Sequence, residues 1–77
     1  MKNRDQELRD RIRYNLIELR VKAGKSQEEI AIEIGRSRNA VGSWEQGLSL
    51  PDIETLHRLS IYYKKTMEYF LEHEPEK

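Results

Sequence analysis

Residues 26–47 read SQEEIAIEIGRSRNAVGSWEQG and contain two short segments that are each bounded by helix-starting and helix-ending residues. Ser26 is followed three residues later by Glu29, which is the spacing of a capping box at a helix N-terminus. Gly35 closes this first segment, because glycine readily adopts the left-handed conformation in which many helices end. The pattern predicts a short helix over residues 27–34.

The second segment is also bounded by a helix-starting and a helix-ending residue. Ser37 is a favoured N-cap and Gly47 is a favoured C-terminal residue, so a further helix is predicted over residues 38–46. Only three residues separate the two helices, and one of them is Gly35. Two short helices joined by a tight turn that contains glycine form a helix-turn-helix arrangement.

The helix over residues 38–46 is predicted to have two different faces. At about 100° per residue, its inward side carries Val41, Trp44 and Glu45. The opposite side is short, polar and uncharged except at its start, and consists of Asn39, Ser43 and Gln46, with Arg38 and Gly42 on the flank. A carboxylate on an inward face needs a partner, so Glu45 is expected to be paired.

Three more helices are predicted outside this stretch, near residues 5–24, 53–64 and 67–72. Gly24 is the stop of the first, and Asp52 and Thr66 are the N-caps of the other two. Apolar spacing predicts their inward residues, which are Ile12, Leu16, Leu19, Ala23, Ile53, Leu56, Leu59, Ser60, Tyr63, Met67, Phe70 and Leu71. The predicted fold is all-α, a compact five-helix domain without a sheet.

Composition is consistent with one small domain that covers residues 1–77, with an ordered core over about 5–72. The chain has no cysteine, so a disulfide framework is excluded. It has no apolar run long enough to cross a membrane, and we expect a cytoplasmic, nucleoid-associated protein without membrane contact. Lysine and arginine balance aspartate and glutamate at 14 each, so net charge does not point to nucleic acid.

Catalytic and metal-binding patterns are missing from the sequence. His57 and His73 are the only histidines, and neither lies in a recognisable acid, nucleophile or metal-ligand motif. We predict that both are exposed surface residues, that the protein is not an enzyme, and that it uses no cofactor, metal or small-molecule ligand.

The residues described so far resemble the lambda-repressor-like family of Cro-type and xenobiotic-response-element-type helix-turn-helix regulators. The resemblance extends from about Ile12 to Leu71 and is densest over residues 26–47. Gln27 matches the family's first position in the second helix, Ala31 the small residue where the two helices cross, and Gly35 the turn glycine. The core positions Val41 and Trp44, the ending WEQG and the stretch PDIETLHRLS also match.

The resemblance implies sequence-specific binding of double-stranded DNA by a transcriptional regulator, which we expect to be a repressor, with the helix over residues 38–46 in the major groove. It also implies that Glu45 pairs with Arg20, late in the first helix. The candidate DNA contacts are Lys25, Gln27, Arg36, Ser37, Arg38, Asn39, Ser43, Gln46 and Ser49. Among these, Arg38 and Asn39 suit guanine and adenine edges, Gln27 resembles a phosphate clamp, and Ser43 and Gln46 suit a base edge or a phosphate.

Four positions depart from the family pattern. Lys25, Arg36 and Lys65 stand where an aliphatic residue is usual, and their long side chains can bury their stems and keep the charge in water. Lys25 and Arg36 have a second interpretation as phosphate contacts. Gly42, inside the recognition helix, either allows close approach to DNA or is a tolerated substitution that costs about 1 kcal/mol relative to alanine.

Two alternatives stay open at this point. The domain could instead be a helix-turn-helix module for protein contact, for example an antitoxin-like partner, with weak or no DNA binding. A regulator of this size is expected to bind two-fold half-sites as a homodimer. Ile61, Tyr62 and Tyr69 could form the dimer surface with the fifth helix, or they could be scattered surface residues.

Overall fold

The computed structural model describes residues 4–75 and contains five α-helices in that range. In chain order they are α1 (Arg4–Lys22), α2 (Gln27–Ile34), α3 (Arg38–Gln46), α4 (Ile53–Tyr63) and α5 (Met67–Glu72). Because residues 4–75 contain no strand, the predicted all-α class is confirmed. No helix among these residues is both long and apolar enough to cross a membrane.

Local caps set the helix starts. The side chain of each predicted N-cap accepts a hydrogen bond from the backbone N–H three residues later, at Ser26, Ser37, Asp52 and Thr66. Glu29 also accepts a bond from the Ser26 N–H, which completes the capping box. α4 ends one residue earlier than predicted because Lys64 takes the left-handed conformation, with a φ of 58°. That conformation costs an L-residue about 1–2 kcal/mol.

The core lies where the helices meet. α1 packs against α3 and α5, α2 packs against α3 and α4, and α4 also touches α5. Phe70 of α5 is fully buried, and Trp44 of α3 is 6% exposed. The other buried apolar residues are Ile12, Leu16, Leu19, Ile30, Ala31, Ile34, Val41, Leu56 and Leu59.

Two residues that we predicted to face inward are exposed. Ile53 is 78% exposed and is the first residue of α4, whereas Ser60, on nearly the same side of the helix two turns later, is buried. Ala23 is exposed because α1 ends at Lys22, before the apolar stripe of this helix reaches it. Apolar spacing therefore misplaces residues at the two ends of a helix, where no neighbouring helix covers them.

Asn15 is a polar residue at the centre of the fold and is fully buried. Its Nδ2 donates to the carbonyl oxygens of Phe70, at 3.1 Å, and His73, at 2.9 Å. Carbonyl groups at the end of a helix have no partner within the helix, so a side chain from α1 satisfies the end of α5. This contact holds a helix of only six residues against the core.

Candidate nucleic-acid interface

The two faces of α3 differ as the sequence predicts. Val41 is 2% and Trp44 is 6% exposed, so both are anchored in the core. Arg38, Asn39 and Gln46 are exposed, with Asn39 and Gln46 on the side of α3 away from this apolar face and Arg38 on its flank. The helix therefore presents a polar surface to solvent while its apolar side attaches it to α1 and α2.

A shallow cleft of about 210 Å³ runs along this outer surface, between the start of α2 and the residues that follow α3. Five of the predicted DNA contacts line it, namely Gln27, Arg38, Asn39, Ser43 and Gln46. Gly42 and Leu48 complete the lining. The structure thus brings the centre of the predicted site into one concave surface and adds Leu48, which lies between the predicted helices and was not among the candidate contacts.

The Arg20–Glu45 pair is present and holds α3 against α1. Arg20 Nε donates to Glu45 Oε2 at 2.7 Å, and Arg20 Nη2 donates to Glu45 Oε1 at 2.9 Å. Glu45 is 8% exposed, so this carboxylate needs a charged partner, as the position on the inward face predicts. The hydrogen bond to Glu45 raises the pKa of Arg20 above its ordinary value, against the opposing effect of burial.

Gln27 joins the same network. Its Nε2 donates to Glu45 Oε1 at 3.0 Å, so the side chain extends from the start of α2 towards α3. Its Oε1 lies 3.5 Å from the place that a Cβ on Gly42 would occupy. Gln27 therefore has a structural partner at the edge of the cleft, in addition to the phosphate contact predicted for it.

The basic residues of the two turns have different surroundings. Arg36 is held by α4, because its Nε donates to Thr55 Oγ1 at 2.8 Å and its Nη2 to Glu54 Oε1 at 3.2 Å. Its guanidinium is thus bound to protein groups, and the charge is neither simply solvated nor directed at the cleft. Lys25 is partly buried and does not line the cleft, and its carbonyl oxygen accepts a bond from Arg20 Nη1.

The three serines of the predicted site all have partners within the protein. Ser37 Oγ caps α3 by accepting the Ala40 N–H at 3.1 Å. Ser43 and Ser49 are joined to each other, with their hydroxyl oxygens 2.7 Å apart. This bond ties the loop after α3 to the outer face of α3. A hydroxyl can donate and accept at once, so these serines keep capacity for a further partner.

Two arginines that the sequence did not single out support the ends of α2 and α3. Arg13 Nε donates to the carbonyl oxygen of Glu45 at 2.7 Å, and Arg58 Nη1 donates to that of Ile34 at 3.0 Å. Neither α2 nor α3 has a basic residue in its own last turn, so cations from other helices meet the negative ends of both dipoles. The absence of a basic residue from the last turns of these two helices was the feature of the sequence that could have indicated such contacts.

The predicted surface histidines differ from each other. His57 is exposed on α4. His73 is only partly exposed, since its ring stacks on Tyr69 with centroids 4.3 Å apart and its Nε2 lies 3.5 Å from Glu18. The prediction is therefore wrong for His73, whose ring packs against an aromatic side chain at the end of α5. Neither histidine lines the cleft along α3.

Comparison with protein families gives one result. Residues 16–70, more than half of the chain, match the family described as Helix-turn-helix. Searches of the curated proteins and of the solved structures each found no match. The matched range contains all of α2, α3 and α4 and both members of the Arg20–Glu45 pair. The chain therefore belongs to the lambda-repressor-like helix-turn-helix family of DNA-binding regulators.

Proposed function

We propose that the protein is a transcriptional repressor that binds double-stranded DNA sequence-specifically, with α3 in the major groove. The observation that carries this proposal is the position of Arg38 and Asn39. Both are exposed in the first turn of α3 and line its outer cleft, while Val41 and Trp44 anchor the apolar side of the helix in the core. Side chains near the start of a recognition helix are the ones that reach base edges.

The two side chains carry complementary chemistry. Arg38 offers a planar pair of donors that matches the O6 and N7 acceptors of guanine. Asn39 offers one donor and one acceptor, which match N7 and N6 of adenine. Each such paired contact contributes about 1–3 kcal/mol of discrimination against a wrong base. Ser43 and Gln46 lie one turn further along the same cleft and would serve a neighbouring base edge or a phosphate.

Phosphate contacts are proposed around this centre. Gln27 and Ser37 stand at or next to the N-termini of α2 and α3, where free backbone N–H groups and the helix dipole favour an anion. Lys25 immediately precedes α2 and supplies a cation at that end. For Arg36 to contact a phosphate, its bonds to Thr55 and Glu54 would have to be exchanged, which makes it the weaker candidate.

Dimer formation remains part of the proposal, with a narrower surface than the sequence indicated. Ile61 and Tyr62 line an open groove of about 450 Å³ between α2 and α4, and Ile61 is 64% exposed. Tyr69 does not line this groove, and its ring is occupied by His73 on one side and the Lys65 ammonium, at 4.7 Å, on another. Ile61 and Tyr62 are therefore the better candidates for contact with a second copy.

Retention on random duplex DNA at low salt tests the proposal. The protein should bind, its affinity should fall steeply with added salt, and selection from a random duplex pool should enrich one motif. An Arg38→Ala variant should lose that enrichment, whereas His57→Ala, a substitution outside the cleft, should keep it. Absence of retention at low salt would overturn the proposal and favour the protein-contact module.

A further inference from the structure

Leu48 is an apolar residue that lines the cleft along α3. It is 73% exposed and directly follows Gly47, which takes the left-handed conformation that ends α3. Its N–H donates to the carbonyl oxygen of Ser43 at 3.0 Å, which forms the wider of the two bonds of a Schellman motif. An apolar contact between these two positions usually accompanies the motif. Here Ser43 is polar and bonded to Ser49, so no such contact forms.

The surroundings of Leu48 are otherwise polar. It lines the cleft along α3 together with Arg38 and Asn39, and next to them Gly42 contributes no side chain. One leucine therefore stands at the rim of a concave surface whose other side chains all carry hydrogen-bonding groups. If that surface meets the edges of base pairs, contact between the leucine and an amino or carbonyl group of a base would be unfavourable. Such a group would lose its hydrogen bonds to water without gaining a new one.

We infer that Leu48 is a specificity-determining residue that contacts the C5-methyl group of a thymine. This inference rests on the proposed insertion of α3 into the major groove. Among the base-edge groups displayed there, the thymine methyl is the apolar one that distinguishes its base pair. The contact would add an apolar component to recognition by Arg38 and Asn39.

Deoxyuridine substitution tests the contact, because it removes only the methyl and keeps every hydrogen-bonding group of thymine. The full 77-residue chain is titrated on the duplex that random-pool selection enriches, and then on duplexes in which one thymine at a time is replaced. At one position in each half-site, the wild-type protein should bind about fourfold more weakly, which corresponds to burial of one methyl-sized group. Leu48→Ala should bind the parent duplex about fourfold more weakly or worse and should not respond to that replacement.

Val21→Ala is the matched control. Val21 is also an exposed apolar residue, at 61%, but it lies on α1 outside the cleft, so this variant should keep the wild-type response to deoxyuridine. Thermal melting of both variants checks that they are folded. Sedimentation at the titration concentrations measures whether Leu48→Ala changes self-association.

Several outcomes would overturn the inference. Wild-type protein that is indifferent to the methyl at every thymine shows that none is contacted. If Leu48→Ala loses affinity on deoxyuridine replacement as much as wild type does, another residue contacts the methyl. If Leu48→Ala self-associates more weakly and loses the same affinity on the parent and the replaced duplex, Leu48 contacts a second copy of the protein. Failure of the wild-type protein to bind any duplex is a different result, since it removes the proposed function itself and the inference with it.

Discussion

Arg20 of α1 and Glu45 of α3 are 25 residues apart in the chain and form two parallel hydrogen bonds, of 2.7 and 2.9 Å. The planar guanidinium matches a carboxylate in this two-point geometry, which lysine cannot reproduce. Because Gln27 bonds to the same carboxylate, the pair connects α1, α2 and α3 at one point. The orientation of α3 is therefore fixed by charge as well as by apolar packing.

Removing one member of this pair should destabilise the protein strongly. Arg20→Ala or Glu45→Ala should lower the free energy of unfolding by about 3 kcal/mol, because the remaining charge stays largely buried without its partner. In a domain of this size that loss corresponds to a fall in Tm of at least about 10 °C. Lys22→Ala is the control, since its pair with Glu18 is long, at 3.9 Å, and exposed at the lysine. Equal Tm values for Arg20→Ala and Lys22→Ala would contradict a structural role.

Gly42→Ala should separate stability from DNA binding. A Cβ at this position would meet only Gln27 Oε1, at an ordinary contact distance of 3.5 Å, so the fold does not require glycine here. Alanine should raise the free energy of unfolding by about 0.5–1 kcal/mol. We also expect weaker binding to the selected duplex, because the added methyl occupies the cleft along α3.

Gly47→Ala is the opposing control for this experiment. Gly47 has a φ of 80°, which an alanine adopts only at a cost, so the variant should be less stable than wild type. Chemical denaturation measures both free energies. A Gly42→Ala protein that gains stability and binds the duplex as well as wild type would show that glycine at this position is merely tolerated.

Base contacts and phosphate contacts should respond differently to substitution. Asn39→Ala should reduce the difference between the selected and a random duplex by about 1–3 kcal/mol and change binding to the random duplex little. Gln27→Ala should weaken both duplexes by similar factors and leave the salt dependence nearly unchanged, because no counterion release is lost. Titrations on both duplexes at several salt concentrations measure these effects.

Lys25→Ala is the charged counterpart in the same titrations. If this lysine contacts a phosphate, its loss should reduce the slope of log affinity against log salt by about 1. Because Gln27 also bonds to Glu45, the Tm of Gln27→Ala has to be recorded alongside its affinity. Equal weakening of both duplexes by Asn39→Ala, with altered preference in Gln27→Ala, would reverse the two assigned roles.

Acid should weaken the start of α4. Hydrogen bonds from the hydroxyl and the N–H of Thr55 lower the pKa of Asp52. A carboxylate with a lowered pKa in the folded state contributes stability above its unfolded pKa of about 3.9, and that contribution is lost as the pH falls through the folded value. Asp52→Asn keeps a good N-cap but cannot titrate, so its stability should fall less between pH 5 and about pH 2 than that of wild type. Parallel loss of stability in both proteins would contradict the assignment.

Contacts within one turn of helix were predictable from the sequence, and those between helices mostly were not. Ser26 and Glu29 form their capping box from residues three positions apart, so the sequence displays both partners. Arg13 and Asn15 instead donate to backbone carbonyl oxygens 32 and 58 residues away. Every residue has a backbone carbonyl, so the residue type of the acceptor gives no indication that it is the partner.

The candidate site shows the same division. Helix periodicity placed Asn39 on the outer side of α3 and Arg38 on its flank, and the family resemblance made both candidates for DNA contact. Arg20 was identified through the family resemblance, since nothing in residue spacing relates it to Glu45. Leu48 was missed because its significance depends on the end of α3, where the chain turns back and places an exposed leucine in the cleft.

The separation of α3 into a core side and a cleft side has a consequence for how binding preference can change. Val41, Trp44 and Glu45 are buried in the fold, whereas Arg38 and Asn39 are exposed. Exchanging the exposed pair should leave the packing of the domain intact. If α3 reads base edges as we propose, substitutions at these two positions should change the preferred DNA sequence without lowering the stability of the domain.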